Sequence, residues 1–573
     1  TALGGLDPEP ARALLRHLAP AATGDEQALQ AVLAPLDGLP LAIELAAARL
    51  ALMPARALAT RLAGSLQVLS TAGWWSSIAD AARERSDAER AVLGAAAVFP
   101  QRFDALALEV VAAPVPALDP LAGLLDASLI QRDGDGFSLQ PLIREYALAE
   151  LVPPGADDRW STHVADQVAA ALPAAVRWEP DALVGLREAL EDLVVAERRC
   201  PLGDPRGEVF AAGIGLGCRY GGPWELAFDV LRRRADHSPV ARVLAQEYAV
   251  RRGAPDPEGL RRCVDTVDDP VLRGHAAYLL ARVLTATGDL DGAERAAGVA
   301  EGSGDDGVAA LGLDALASVH RARGEPERAI HAYDRALGRV QSDRSRIVRA
   351  AVALNYASTL ARLGRLDAAI PRLRVAVEAA ADLQSGSVAR VNLAAALLER
   401  GGQAEAAVPL LERGLEGARR LGDREASWTQ ATLLALAWAI AGHGERADTA
   451  LDEAEALRLH RTPAHAAVLA LRRTWAALAR GDADGVRARM ASGVALASTE
   501  VEHTHAAFFA VGAARRLGEP LDPTPARALA ERHDPDLLPW LDAWDRGADL
   551  PDDPFATRMP VDVWALYRPP PGR

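Results

Sequence analysis

Lysine is absent: all 63 basic side chains among the 573 residues are arginine. A phosphate-binding loop of the form G-x-x-x-x-G-K-[ST] sets its lysine against the β- and γ-phosphates of a nucleotide. The usual form of that loop cannot be made here, which speaks against self-sufficient P-loop ATP hydrolysis. Cysteine is scarce, and Cys200, Cys218 and Cys263 form no C-x-x-C pair. Neither a disulfide framework nor a zinc site is indicated, and a reduced, cytoplasmic setting fits. Apolar runs stop short of the roughly 18 residues that a membrane span needs. There is no basic tract either: a net charge of −15 is spread over the whole length, which disfavours binding to nucleic acid or anionic lipid. The sequence opens on Thr1 with neither a signal peptide nor an initiator methionine, so a piece of something longer is expected.

What is present is alanine, leucine and arginine. Half of the residues are hydrophobic, only 5% are aromatic, and strand-favouring runs are rare, which predicts an all-α protein. The first 70 or so residues read as short helices broken at Pro20, Pro35 and Pro54. Within them, Gly38-Leu39-Pro40 stands before an alanine-rich helix; by itself it reads as a helix start, with proline in the first turn. Ser86 and Glu89 have the spacing of a capping box, predicting a helix from about Asp87 to Val98. From Leu121 to Leu151 the period changes twice: a helical face at Leu121, Leu124, Leu125 and Leu129, an alternating stretch turning at Asp133-Gly134-Asp135-Gly136, then a helix from Ile143. Helix, hairpin, helix is the plan of a winged-helix domain with a small β-hairpin. Between Arg83 and Glu150 six arginines face eleven carboxylates, the wrong sign for DNA, so this module is expected to pack against protein.

From about Gly207 the sequence repeats. Gly222, Gly288, Gly324, Gly364, Gly401 and Gly442 are each followed five residues later by alanine, and four residues further by Leu231, Ala297, Tyr333, Leu373, Leu410 and Leu451. The spacing is close to that of a tetratricopeptide repeat, and weaker copies pivot on Gly253 and Gly481. About eight helix pairs are predicted to stack into a right-handed α-solenoid, because an isolated pair cannot bury its apolar faces. The expected division is a helical domain over 1–78, a winged helix over 79–152, a helical linker over 153–206, repeats over 207–500, and capping helices with a tail over 501–573.

The order of "GLPLAIELAAARL", "SDAERAVLGAAAVFPQRFD", "LLDASLIQRDGDGFSLQPLIREYA" and then helical repeats resembles the C-terminal portion of STAND signal-transduction ATPases. The resemblance is to the NB-ARC type of bacterial regulators of the AfsR and MalT kind, and it covers residues from about 1 to 500. It implies that Gly38, Leu39 and Pro40 form one wall of a nucleotide pocket. ATP or ADP with Mg²⁺ is then expected only in a domain preceding Thr1, and no cofactor in this chain. The family's Met-His-Asp motif falls on Leu139, Gln140 and Pro141. Gln140 keeps a hydrogen-bonding side chain but lacks the histidine that senses the β-phosphate of ADP. The implied mechanism is a switch, in which a ligand of the repeats favours an open arrangement, nucleotide exchange and self-oligomerisation. In such solenoids the first helix of each pair lines the concave face. Carrying the repeat phase across places Asp314, Ser318, Arg321, Asn355, Arg362 and Asn392 there as contacts for a protein or peptide ligand, the alternative being solvated or interhelical hydrogen bonds.

Other candidates carry less. "GIGLGC" (Gly213 to Cys218) lacks the preceding strand of a dinucleotide loop and reads as close helix packing. His460 with His465, and His503 with His505, lack zinc spacing. No catalytic centre and no metal site is found, and the chain is expected not to be an enzyme by itself. A stand-alone tetratricopeptide scaffold is the alternative reading, and a winged-helix transcription regulator a minor one.

Overall fold

In the computed structural model, residues 6–482 are described apart from 20–24, 37, 39, 51–52, 63–71, 220–221, 381–384, 401–402, 421–422 and 458–462; beyond 482 only short stretches are, chiefly 522–533. Helix starts are written by proline and short polar caps. Pro8, Pro40, Pro141, Pro239, Pro270 and Pro326 each open a helix, where the missing N–H costs nothing. Asp25, Asp104, Asp269 and Asp305 accept a hydrogen bond from the free N–H groups of the first turn. Two compact units result, one of residues 1–173 and 185–217, the other of residues 174–184 and 218–573.

The first unit begins with α1 (Pro8–Leu18), α2 (Glu26–Leu33), α3 (Pro40–Leu50) and α4 (Ala55–Leu62). Leu15, Val32, Leu36, Ile43 and Leu58 are wholly buried between them, each contributing about 1.5–3 kcal/mol. After α5 (Ala72–Arg83) comes α6 (Asp87–Ala97), whose reciprocal Ser86–Glu89 capping box is formed as predicted. Then follow α7 (Ala105–Ala112), α8 (Leu118–Asp126), β1 (Gln131–Asp133), β2 (Gly136–Ser138) and α9 (Pro141–Glu150). The strands are antiparallel with Asp133 opposite Gly136, so Asp-Gly-Asp-Gly is a hairpin turn. Phe103, between α6 and α7, bridges to Phe137 and widens the hairpin. Leu142 of α9 joins the core of α1–α4, and Trp75 of α5 meets Tyr146 of α9 edge to face at 5.2 Å.

Next in the chain are α10 (Ala156–Val176), α11 (Pro180–Glu188), α12 (Leu190–Arg199) and α13 (Pro205–Gly217). "GIGLGC" is packing: a Cβ at Gly213 would stand 2.9 Å from Val168 Cγ1, and one at Gly217 2.8 Å from the Leu186 carbonyl oxygen.

The second unit is all helix among the described residues. α14 (Trp224–Arg234) precedes six hairpins: α15 (Pro239–Arg251) with α16 (Pro257–Thr266), α17 (Pro270–Thr287) with α18 (Leu290–Glu301), α19 (Asp306–Ala322) with α20 (Pro326–Arg339), α21 (Arg346–Arg362) with α22 (Leu366–Ala379), α23 (Ser385–Arg400) with α24 (Ala404–Arg420), and α25 (Arg424–Ile440) with α26 (Gly444–Ala456). α27 (Pro463–Arg480) and α28 (Thr524–His533) follow. Gly253, Gly288, Gly324, Gly364, Gly442 and Gly481 all have φ between +70° and +89°, the left-handed conformation that ends a helix and favours glycine. Ala293, Ala329, Ala369 and Ala447 are fully buried between the helices of their pairs. One repeat corrects the predicted phase: Ala406 is exposed and Leu410 half-buried, while Ala407 and Leu411 take the buried positions. The repeat must be counted from Gly402; it and Gly401 lie outside the described residues.

A buried ionic cluster ties α15 to α17. Arg219 donates to both carboxylate oxygens of Glu247, at 2.7 Å in its closest contact, and Arg251 donates to Glu247 at 2.8 Å. The Arg219 guanidinium lies 3.8 Å from the centre of the Trp178 ring. Burial opposes ionisation of Glu247, but Arg219, Arg251 and His275 outweigh it and hold the carboxyl well below its usual range. Burial, with Arg219 alongside, pushes the His275 imidazole down to about 3.

No helix among the described residues is long and apolar enough to cross a membrane. "DPDLLPWLDAWDRG", "MPVDVWALYR" and the final "PPPGR" lie wholly or mostly outside the described residues, as do His460, His503, His505 and the side chain of His465.

Candidate functional site

Residues seven apart on an α-helix lie two turns apart on one face. Asp314 and Arg321 share a face of α19 in this way, and Asn355 and Arg362 share one of α21. Successive first helices pack side by side, α17 on α19, α19 on α21 and α21 on α23. Their faces therefore merge into one cleft of about 660 Å³, and all six residues predicted for this surface line it: Asp314, Ser318, Arg321, Asn355, Arg362 and Asn392.

The cleft combines buried polar groups with exposed cations. Asp314, Thr359 and Asn392 are 4–5% exposed, whereas Arg282, Arg321 and Arg362 are exposed. Asn355 Nδ2 donates to both carboxylate oxygens of Asp314, at 3.0 and 3.2 Å. Interhelical hydrogen bonding, the alternative reading of these positions, is thus realised by Asp314 and Asn355 even as both line the cleft. Burial pushes the Asp314 carboxyl up to about 6, against the opposing pull of Asn355, Arg282 and Arg321. Thr359 donates to the Tyr333 hydroxyl at 3.3 Å, and Tyr333 stacks on Tyr356 at 5.0 Å with 13° between planes. Asn392 has no hydrogen-bond partner for its side chain among the described residues, and Arg282 and Arg321 have no salt-bridge partner there. Arg282 is hydrogen-bonded to Tyr278, and the buried Asn392 amide has donors to give and an acceptor to fill.

Sequence reasoning missed Arg282 and Thr285 of α17, Ser358 and Thr359 of α21, and Tyr333 of α20. The signal for Arg282 was present: it lies six residues before the turn glycine Gly288, on the first helix of the preceding repeat. Tyr333 could not be found by the same rule, because it reaches the cleft from a second helix.

At the Gly-Leu-Pro stretch, Gly38 has φ +64° and its carbonyl accepts from Leu6 N–H at 2.8 Å. A Cβ there would stand 2.1 Å from the Leu6 carbonyl oxygen, so glycine is required on backbone grounds alone. Pro40 is the first residue of α3 and is exposed, while Leu39 lies outside the described residues. Gly38 lines a separate cleft of about 470 Å³ with Pro8, Arg12 and Gln30. Gln140 stands at the cap of α9, half-buried, with no side-chain capping bond. No group of three or more His, Cys, Asp or Glu side chains that could hold a metal ion occurs among the described residues.

No family model and no curated protein matches the chain. Among solved structures it is similar to a signal transduction ATPase with numerous domains (STAND) protein with a tetratricopeptide repeat sensor from Pyrococcus horikoshii, at 14% identity and a TM-score of 0.46, over 86% of this chain and 72% of that one. It is also similar to the apo form of the quorum sensor NprR from B. thuringiensis (13% identity, TM-score 0.36, 55% of this chain and 90% of that one). A third is a Rap protein complexed with competence and sporulation factor (14%, 0.33, 66% and 99%). With scores below 0.5, these likenesses assign nothing to the chain.

Proposed function

We propose that this chain is a ligand-sensing, non-catalytic part of a signalling protein, recognising a protein or peptide in the cleft formed by α17, α19, α21 and α23. The observation that carries the reading is the convergence, in one cleft, of six polar residues drawn from three separate repeats. A stack of hairpins gives each residue only its neighbours to pack against; part of this polar face is used between helices, by Asp314 with Asn355, and Asn392 keeps hydrogen-bonding capacity for a ligand.

In the finer form of this reading, residues 1–78 are the helical Gly-x-Pro domain and 79–152 a winged helix. Residues 153–206 are a linker, 207–500 the sensor and 501–573 its cap. Three helices, the Phe103 bridge and the β1–β2 hairpin support the winged-helix assignment. Gly38, Leu39 and Pro40 take a nucleotide-facing role on the resemblance alone; of the three only Gly38 lines a cleft among the described residues, and Gln140 in the same unit is the hydrogen-bonding remnant of a sensor position. ATP or ADP with Mg²⁺ belongs to a domain encoded before Thr1, and nucleotide exchange there is coupled to self-oligomerisation.

The experiment is to read the coding sequence upstream of Thr1 and, where it encodes G-x-x-x-x-G-K-[ST], to measure ADP release from the joined protein. Release that accelerates when cleft ligand is added supports the relay. A start codon with no nucleotide-binding domain before it, or release indifferent to a bound ligand, contradicts the relay and leaves a binding scaffold.

A further inference from the structure

We infer that residues 174–184 form a latch on the repeats, seated by Trp178, and that α17 links its seating to the cleft. The latch operates in the chain alone, so it stands apart from the chemistry of whatever the cleft binds.

Trp178 occupies a position that the backbone reserves for glycine. α10 ends in a Schellman motif: Glu179 N–H donates to the Ala174 carbonyl and Trp178 N–H to that of Ala175, both at 3.1 Å, which makes Trp178 the left-handed residue that follows such a helix. Its φ is +66°, a strained conformation for a bulky side chain. Gly288, Gly324 and Gly364 meet the same demand after first helices of the repeats. A tryptophan kept there is held by what its ring touches. The residue is 8% exposed; the Arg219 guanidinium lies 3.8 Å from its ring centre and the His275 ring 5.4 Å away. Beside it, Arg177 pairs with Asp305 at 3.5 Å, the residue that caps α19.

These partners belong to the second unit, as residues 174–184 do, whereas the chain up to 173 and from 185 to 217 belongs to the first. Seating has a cost besides the backbone: Arg219 Nη1 and His275 Nε2 are buried without a hydrogen bond among the described residues. Withdrawal of the ring would open both to water and let residue 178 relax, so seating depends on the contacts of the indole and of Arg177.

α17 carries the link. His275, Tyr278 and Arg282 are three and then four residues apart, which sets them along one face of that helix. The His275 and Tyr278 rings are 6.4 Å apart. Arg282 is hydrogen-bonded to Tyr278, with its guanidinium 5.6 Å from the ring centre, and lines the cleft. One stripe of side chains thus runs from the cleft to Trp178, and an event that draws Arg282 off Tyr278 loosens the surface on which the indole rests. Contiguity becomes coupling when the seated and released states differ at Arg282, which a substitution there measures.

The test is hydrogen exchange of the full chain, read by mass spectrometry on peptides covering 174–184, with α21–α24 as the internal reference. In the wild type, 174–184 should exchange as a group and faster than the reference. Trp178→Gly relieves the backbone and removes the ring. A latch should then exchange about tenfold faster, the scale of one desolvated cation–π contact, with the reference unchanged, and Trp178→Phe should restore most of the protection. A residue that merely ended α10 would instead be stabilised by glycine. At the cleft end, Arg282→Gln should speed exchange at 174–184 about threefold, whereas Arg321→Gln, the same charge change on α19, should not. Protection of 174–184 that rises or stays the same in Trp178→Gly, or that is lost together with that of the reference, overturns the latch. Equal effects of Arg282→Gln and Arg321→Gln, or none from either, overturn the link through α17.

Discussion

Asp314 shows how one residue records both fold and site. Its carboxyl is pushed up to about 6 by burial, above an unfolded value of about 3.9. Stability linked to it is therefore fully present below pH 4 and lost as pH rises through 6. Relative to Asp314→Asn, the wild-type repeats should lose about 3 kcal/mol between pH 4 and pH 7.5, since a tenfold change in proton affinity is worth about 1.4 kcal/mol. Urea unfolding of both proteins at several pH values checks this; parallel curves would contradict it. The groups facing Asp314 are Arg282, Arg321, Asn355, Tyr278 and Tyr333. His275 carries the opposite sign. Its imidazole is pushed down to about 3 from about 6.5, so stability is present above pH 6.5 and is lost as pH falls. With Arg219, Glu247 and Arg251 against it, His275→Gln should flatten the acid limb between pH 6 and 4, and a wild-type-like acid limb would argue against a neutral buried imidazole.

Among the elements, glycine separates turn from packing. Gly324 ends α19 at φ +75° with nothing within 4 Å of a Cβ, so Gly324→Ala should cost about 1–2 kcal/mol through backbone strain alone. On α24, a Cβ at Gly414 would stand 1.9 Å from the Gln430 Oε1 atom, whereas one at Gly417 meets nothing within 4 Å. Gly414→Ala should thus lower the thermal midpoint, and Gly417→Ala should raise stability by about 0.5–1 kcal/mol through helix propensity; equal effects from the two would contradict the packing. Removing the capping box with Ser86→Ala should cost about 1 kcal/mol, readable in hydrogen exchange at the start of α6. These elements were legible because each has a local cause: Ser86 and Glu89 are three residues apart, and the turn glycines recur with the repeat. The phase of the α24 repeat was not legible. Gly401 and Gly402 are adjacent and both satisfy the spacing rule, and the choice is made by which alanine and leucine pack against the neighbouring hairpins.

Over the full length of the chain, periodicity was enough to place six residues on one surface, because a solenoid converts sequence phase directly into position. It was insufficient for Tyr333, which enters from a second helix, and for the pairing of Asn355 with Asp314, which depends on the offset between α19 and α21 rather than on either alone. Gly38 shows the converse limit: a backbone contact with Leu6 accounts for it fully, so its spacing to Pro40 says little by itself about a nucleotide.

Entry of ligand on the first-helix face is open to a direct thiol footprint. Cys200, Cys218 and Cys263 are all buried, so a cysteine introduced at Ser358 in the cleft, or at the exposed His331 of α20, becomes the reactive thiol. The measurement is the rate of maleimide labelling of Ser358→Cys and His331→Cys with and without a pool of random-sequence heptapeptides. Ligand seated in the cleft should slow labelling at 358 and leave 331 unchanged. Protection at 331 with none at 358 would place the ligand on the other face and contradict the assignment of the cleft as the sensing site.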